Sequence, residues 1–128
     1  MIYGLGTDVV QIERVEQTYT RFGEHFADRL LMPEELEGFQ RVRRKARYLA
    51  MRFAGKEAIA KAMGTGFSNG IWIRDVGVVQ NAQGKPEVVF SERGRAVCAR
   101  LGIGAGHVSL TDEVGLVFAC AVLEKAGG

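Results

Sequence analysis

The sequence has few residues of the kinds that would assign it to a specialised class. Only two of its 128 residues are cysteine, Cys98 and Cys120, and neither lies in a CxxC pair or near a histidine at metal-ligand spacing. A zinc site is therefore not expected, and we predict two buried, reduced thiols. The longest apolar run, LVFACAVL, is too short to span a membrane. The first residues, MIYGLGTDVV, contain no basic start, so we predict no signal peptide and a cytoplasmic location.

An excess of charge of one sign is also missing. The net charge is only +2 at pH 7, which is too small to imply nucleic-acid binding by itself. With 47% apolar and 25% charged residues the chain should be globular, and its length predicts a single domain over residues 1–128. Six cations without an acid lie between Arg41 and Arg52. They are either a solvated face or a phosphate-binding patch, since arginine offers forked donors to phosphate.

The first residues alternate in a way that is typical of a strand over residues 2–9. Gly4, Gly6 and Asp8 share one face, which is almost bare of side chains. This leaves room for a ligand or for a closely approaching helix. Asp8 itself has two interpretations: it caps the helix that follows, with Gln11 as its partner, or it binds a ligand.

The later patterns predict an α+β fold in which an antiparallel sheet packs against helices. An amphipathic helix starts near Ile12 and breaks or bends at Gly23, and Pro33 begins a short helix whose Glu34 and Glu35 suit its positive end. A central helix runs from Ala46 to Met63 and stops at Gly64. The remaining predicted elements are a strand with a bulge near residues 74–75, a hairpin strand Glu87–Phe90, a helix from Ser91 to Leu101, a strand His107–Thr111 and an apolar central strand Leu116–Leu123.

The central helix has charges where a helix normally has core residues. Lys56 falls within an apolar stripe and therefore needs a partner or a ligand. Glu57 and Lys61 are four residues apart among alanines that would let another element come close. They are either a surface pair, worth about 0.3–0.5 kcal/mol, or a metal-binding carboxylate with an ammonium near phosphate.

Four motifs resemble a known family when they are taken in order: GxGxD, RFAxKEAxxKAxGTG, GKP and HVSL. Together they resemble the holo-acyl-carrier-protein synthases, the small single-domain class of 4′-phosphopantetheinyl transferases, over essentially the whole chain. The resemblance implies transfer of 4′-phosphopantetheine from coenzyme A to a serine of apo acyl carrier protein. Adenosine 3′,5′-bisphosphate is the other product, and the holo carrier serves fatty acid biosynthesis.

The resemblance also implies roles for individual residues. Asp8 and Glu57 bind a Mg²⁺ that holds the coenzyme A pyrophosphate, Glu57 accepts the serine proton directly or through water, and Lys61 assists the departing phosphate. Lys56 is expected to hold Asp8 or Glu57 in place. The residues expected at coenzyme A are Arg44, Lys45, Arg52, Gly64, Thr65, Gly66, Lys85 and His107. Of these, the glycines and Thr65 could offer backbone N–H groups to an anion. His107, which by itself suggests only a structural or surface residue, would come from a neighbouring subunit.

The expected partners are an acidic carrier protein and further copies of the chain. Arg14 and Arg21 match helix cations that meet the carrier, so raised salt should increase the apparent KM for it. Small family members are trimers with sites between subunits, and neither nucleic acid nor a membrane is expected. Two other functions fit parts of the sequence: a basic module that binds nucleic acid or phosphorylated ligands through residues 41–52, and a Mg²⁺-dependent phosphohydrolase. Such hydrolases normally need more than two metal carboxylates.

Overall fold

The computed structural model describes residues 1–127, which form strands, helices and one short 3-10 turn. The strands are β1 (Ile2–Gln11), β2 (Val76–Gln80), β3 (Pro86–Phe90), β4 (Ile103–Glu113) and β5 (Leu116–Lys125). The helices are α1 (Ile12–Phe22), α2 (Glu24–Leu30), α3 (Pro33–Arg41), α4 (Lys45–Met63) and α5 (Glu92–Leu101). The predicted α+β fold class is confirmed.

The main sheet is antiparallel and has the strand order β1-β5-β4. The central position of β5 agrees with the prediction, since β1 and β4 pair with its two edges. β2 and β3 form a separate hairpin, as predicted. Asp8 on β1 lies opposite Ala119 on β5, so the sheet fixes the position of this carboxylate.

The long helix α4 packs directly on the backbone of β1. A Cβ atom placed on Gly6 would lie 2.0 Å from the carbonyl oxygen of Ala58, and one on Gly4 would lie 1.9 Å from that of Ala62. Neither distance leaves room for a methyl group, so only glycine permits this approach. The bare face of the first strand therefore accommodates a helix, and the alanines of α4 are the residues that come close.

One local prediction and one of the two interpretations of Asp8 are wrong. Residues 71–75 are not a bulged strand, because Ile73–Asp75 forms a 3-10 turn in which the Asp75 carboxylate accepts the backbone N–H of Trp72 at 2.9 Å. Asp8 does not cap α1. The cap position belongs to Gln11, whose side chain makes no capping hydrogen bond. The break at Gly23 is confirmed, since this residue has a φ of 61° between α1 and α2.

The core lies between the main sheet and the helices, with α4 at its centre. Leu49, Ile59 and Met63 of α4 are buried, as are Ala121 and Leu123 of β5. No helix within residues 1–127 combines the length and apolar character that a membrane span needs.

Candidate active site

Asp8 and Lys61 meet at the contact between β1 and α4. The Lys61 ammonium donates to Oδ1 of Asp8 at 3.1 Å and to the backbone carbonyl of Thr7 at 3.0 Å. The Asp8 side chain is 17% exposed and that of Lys61 is 51% exposed, so the pair lies at a surface that a ligand can reach. Two predicted site residues more than fifty positions apart are thus brought together.

Glu57 belongs to the same group. Burial raises the pKa of its carboxyl above the ordinary value, and the negative charge of Asp8 raises this pKa further, while Lys61 lowers it. A carboxyl whose pKa is raised by burial and by a neighbouring carboxylate indicates a place where additional positive charge is favourable. The structure therefore brings Asp8, Glu57 and Lys61 together as one electrostatic unit.

The donor set of this group suits a hard divalent cation. Asp8 and Glu57 offer carboxylate oxygens, which Mg²⁺ prefers, and Mg²⁺ is commonly held by one or two carboxylates with substrate phosphates and water. Residues 1–127 contain no cluster of three or more His, Cys, Asp or Glu side chains that could hold a metal ion. A metal held by Asp8 and Glu57 would complete its coordination with water or substrate phosphates.

Lys56 has a partner, but not the expected one. Its ammonium lies 2.5 Å from Oε1 of Glu35, and both side chains are fully buried. The prediction that Lys56 needs a partner is confirmed, whereas the expectation that it holds Asp8 or Glu57 directly is wrong. Glu35 was missed because an acid in the first turn of a helix normally faces solvent.

The cations at the start of α4 lie together on the surface. Arg44 and Lys45 line a cavity of about 270 Å³ with Arg43 and Arg47. Lys45 is already engaged, since its ammonium donates to the backbone carbonyl of Phe39 and lies 4.6 Å from the centre of the Phe39 ring. Arg47 makes two hydrogen bonds to Asp112, at 2.7 and 3.1 Å. The basic run therefore contains some cations that bind other groups of the protein and others that remain available to a ligand.

Arg52 lies elsewhere, in a cavity of about 470 Å³ that is also lined by Tyr48 and Asn81. Its side chain is 95% buried, and the guanidinium stacks 4.3 Å from the centre of the Tyr48 ring. Within residues 1–127, its Nε is the one buried side-chain nitrogen or oxygen that lacks a hydrogen-bond partner. Lys85 is exposed on the neighbouring hairpin, where its backbone N–H donates to the Asn81 side chain at 3.0 Å.

The segment Gly64–Gly66 mainly ends the helix. Gly64 has a left-handed conformation, with φ at 81°, and its N–H donates to the carbonyl of Lys61 at 3.0 Å. The N–H of Gly66 donates to the carbonyl of Ala60 at 3.3 Å, and the Thr65 hydroxyl donates to the Gly66 carbonyl at 2.8 Å. These two glycine amides are engaged with the end of α4 and are not free to face an anion, contrary to the expectation.

The remaining predicted residues lie on two exposed surfaces. His107 on β4 is opposite Val122 of β5, and its Nε2 lies 2.6 Å from Glu124. Arg14 and Arg21 are exposed on α1, and Arg14 lines a cavity of about 470 Å³ with Phe53. Neither surface is part of the Asp8–Lys61 contact within this chain.

Residues 4–117 match the family described as the 4′-phosphopantetheinyl transferase superfamily. The chain belongs to this superfamily. The predicted family and enzyme class are thereby confirmed, and the motifs that carried the resemblance include the residues gathered at the β1–α4 contact.

Relatives within the superfamily cover nearly the whole chain. A holo-[acyl-carrier-protein] synthase of Aromatoleum aromaticum is 46% identical, over 98% of this chain and 99% of its own length. The synthase of Neisseria meningitidis is 42% identical, and its crystal structure has a TM-score of 0.92 with coverage of 98% of this chain and 100% of that one. The synthase of Helicobacter pylori, solved in complex with coenzyme A, is 26% identical, with a TM-score of 0.82 and coverage of 94% and 99%.

Proposed function

We propose that this chain transfers the 4′-phosphopantetheine group from coenzyme A to a serine hydroxyl of an apo acyl carrier protein. Adenosine 3′,5′-bisphosphate leaves, and the holo carrier enters fatty acid biosynthesis. The observation that carries the proposal is the convergence of Asp8, Glu57 and Lys61 at the β1–α4 contact in a member of this superfamily. Carrier protein as acceptor is supported by the relatives named as synthases, and coenzyme A as donor by the complex of the Helicobacter pylori synthase.

The chemistry is a displacement at phosphorus. The serine oxygen forms a bond to the β-phosphorus of the coenzyme A pyrophosphate, and the bond from that phosphorus to the bridging oxygen breaks. The pair of electrons leaves with adenosine 3′,5′-bisphosphate, and the serine proton passes to Glu57. Glu57 is assigned this role because its partly buried carboxylate belongs to the same group as Asp8 and Lys61.

Lys61 is suited to the negative charge that grows on the departing phosphate. An ammonium has three N–H donors, and two of those of Lys61 go to Asp8 and to the Thr7 carbonyl. The third donor remains for a phosphate oxygen. Because the Lys61 side chain is half exposed, its ammonium can move with this oxygen and keep its hydrogen bonds to Asp8 and Thr7 on β1.

Asp8 and Glu57 are the residues that would hold Mg²⁺. When bound, this ion neutralises negative charge on the pyrophosphate and orients it for in-line displacement. The two carboxylates are placed for this by different elements, Asp8 by the sheet register and Glu57 by the roll of α4.

Two groups of cations are proposed for the nucleotide end of coenzyme A. Arg52 is assigned to the 3′-phosphate, because it lines a cavity and arginine offers forked donors to phosphate oxygens. Lys85 lies on the hairpin next to this cavity. Arg44 and Lys45, at the start of α4, remain candidates for the other phosphates.

An assembly of three copies with sites between subunits is supported by the open face of the main sheet. Leu5, Val9 and Phe118 are 63%, 50% and 46% exposed on the face that points away from α4. Exposed apolar side chains that adjoin on one surface mark an interaction site. His107 is on the same face, because it pairs with Val122, which is in register with Leu5. In an assembly it would therefore face a neighbouring copy.

The carrier protein is proposed to dock on α1. Arg14 and Arg21 are exposed there, and the cavity beside Arg14 includes apolar residues such as Phe53. An acidic partner would be steered by the cations and held by the apolar contacts.

The test is a transfer assay with coenzyme A, Mg²⁺ and apo carrier protein, in which the carrier is weighed by mass spectrometry. A mass increase of one phosphopantetheine is expected. Asp8→Asn and Glu57→Gln should remove the Mg²⁺-dependent transfer while circular dichroism remains native. The matched control is Glu92→Gln, which changes an exposed carboxylate on α5 and should leave the rate unchanged.

Two results would contradict the proposal. Free phosphate, or no mass change with the unmodified chain, would exclude the transferase function. Near-normal transfer by Asp8→Asn or Glu57→Gln at saturating Mg²⁺ would exclude the metal assignment but leave the transferase function standing.

A further inference from the structure

A fully buried ion pair links α3 to the middle of α4. The Lys56 ammonium lies 2.5 Å from Glu35, and neither side chain has exposed surface. Removing two charges from water is costly, and well-packed apolar residues of similar volume are often equally stable or more stable. Stability alone therefore gives no reason for a charged pair at this position.

The pair also ties together backbone groups from three segments. Lys56 donates to the carbonyls of Ile73 at 3.2 Å and Val76 at 2.5 Å, which uses its remaining N–H donors. Glu35 accepts the N–H of Met32 at 3.0 Å with Oε1 and that of Val78 at 2.9 Å with Oε2. The start of α3, the 3-10 turn and β2 are thus fixed to one side chain of α4.

These bonds act on α4 from the side that does not contact β1. On the other side, the carbonyls of Ala58 and Ala62 rest against Gly6 and Gly4. The strand contact limits how closely α4 can approach. The directional bonds of Lys56 add a restraint on rotation about the helix axis, on the side opposite the bonds of Lys61 to β1, because they fail if the helix rolls.

Glu57 follows Lys56 directly, so the roll of α4 sets where its carboxylate lies. An atom about 5–6 Å from a helix axis moves by about 1 Å when the helix rolls by about 10°. A misplacement of about 1 Å can cost about 10²-fold in rate. Lys61, one turn further along, moves with the same rotation relative to Asp8, which the sheet holds in place.

We propose that the Glu35–Lys56 pair is a positioning device that sets the roll of α4 and thereby places Glu57 and Lys61 against Asp8. The inference rests on the proposed function, because placement matters only if these three side chains act together. It assigns Glu35 and Lys56 no contact with substrate.

The test compares Lys56→Met with the double variant Glu35→Gln/Lys56→Met. The single variant leaves a buried carboxylate without its partner and should lower the melting temperature strongly. The double variant removes both charges and keeps the size of both side chains, so part of the melting temperature should return, while the carbonyls of Ile73 and Val76 stay without their donor. The affinity for metal should not return. Mn²⁺ binding in the presence of coenzyme A, followed by electron paramagnetic resonance, should stay at least tenfold weaker than in the unmodified chain. kcat should stay about 10²-fold lower, with little change in KM for coenzyme A.

The control is another ion pair of α4, Arg47 with Asp112 at 2.7 Å, near the start of the helix. Arg47→Met/Asp112→Asn should lower the melting temperature without weakening Mn²⁺ binding. A double variant of the buried pair with native Mn²⁺ affinity and kcat overturns the positioning role while the proposed function stands. An unmodified chain that neither transfers phosphopantetheine nor binds Mn²⁺ overturns both, and the two failures are thereby distinguished.

Discussion

The close contact between β1 and α4 can be tested with a single methyl group. In Gly6→Ala the new Cβ would lie 2.0 Å from the Ala58 carbonyl oxygen, whereas an ordinary contact begins at 3.4 Å. Because the atom in the way is backbone, α4 or β1 must retreat by about 1.4 Å to restore that contact. This overpacking should lower the free energy of unfolding by about 1–3 kcal/mol. It should also separate Asp8 from Glu57 and Lys61.

The assay is transfer of phosphopantetheine to the carrier, expressed per folded molecule, together with urea unfolding. A shift of about 1 Å should reduce the rate by about 10²-fold, which is more than the loss of folded protein explains. The matched control is Gly102→Ala, at the end of α5, where the glycine has a φ of 79° and open space around its Cβ position. Alanine in this conformation costs about 1–2 kcal/mol. A folded Gly6→Ala protein with a native rate, or an equal loss of rate in Gly102→Ala, would refute the reasoning.

Three further outcomes are expected. Arg52→Met should raise the KM for coenzyme A about tenfold or more but leave that for dephospho-coenzyme A nearly unchanged; an equal effect on both would exclude a 3′-phosphate contact. In carboxyl NMR titrations without metal, Asp8→Asn should lower the pKa of Glu57 and Lys61→Met should raise it, since these groups shift it in opposite directions; shifts of the reverse sign would contradict the site. Phe118→Asp should leave a folded chain that sediments as a monomer, because it places a charge on the open face of the main sheet; an unchanged sedimentation coefficient would exclude this face as the contact.

Much of the fold followed from periodicity and glycine placement. The apolar character of β5 on both faces predicted its central position, and Gly23 and Gly64 marked helix ends correctly. The prediction of a strand over residues 71–75 was wrong. Alternating isoleucines are typical of a strand, but the Asp75 side chain accepts a backbone N–H and thereby forms a turn.

The residues of the candidate site could be predicted from the sequence, but the residues that hold them in place could be predicted less well. Lys56 could be recognised as a charge that needed a partner, but periodicity gives no information about which distant carboxylate supplies it. The cap interpretation of Asp8 was plausible because an aspartate before a helix is common there. Strand β1 instead continues to Gln11, so Asp8 lies within the strand, before the cap position, and its side chain meets α4.

The order of strands in the main sheet has a consequence for biosynthesis. β1 is made before the other strands, yet among residues 1–127 its one hydrogen-bonded neighbour in that sheet is β5, which begins at Leu116. While the chain emerges from the ribosome, β1, which bears Asp8, therefore has no strand of this sheet to pair with until β5 has been made. Helix α4 is synthesised well before β5, so Glu57 and Lys61 are present before the sheet fixes the position of Asp8. A nascent chain interrupted before β5 should consequently have no ordered carboxylate pair, and activity should appear only when synthesis of the sheet is complete.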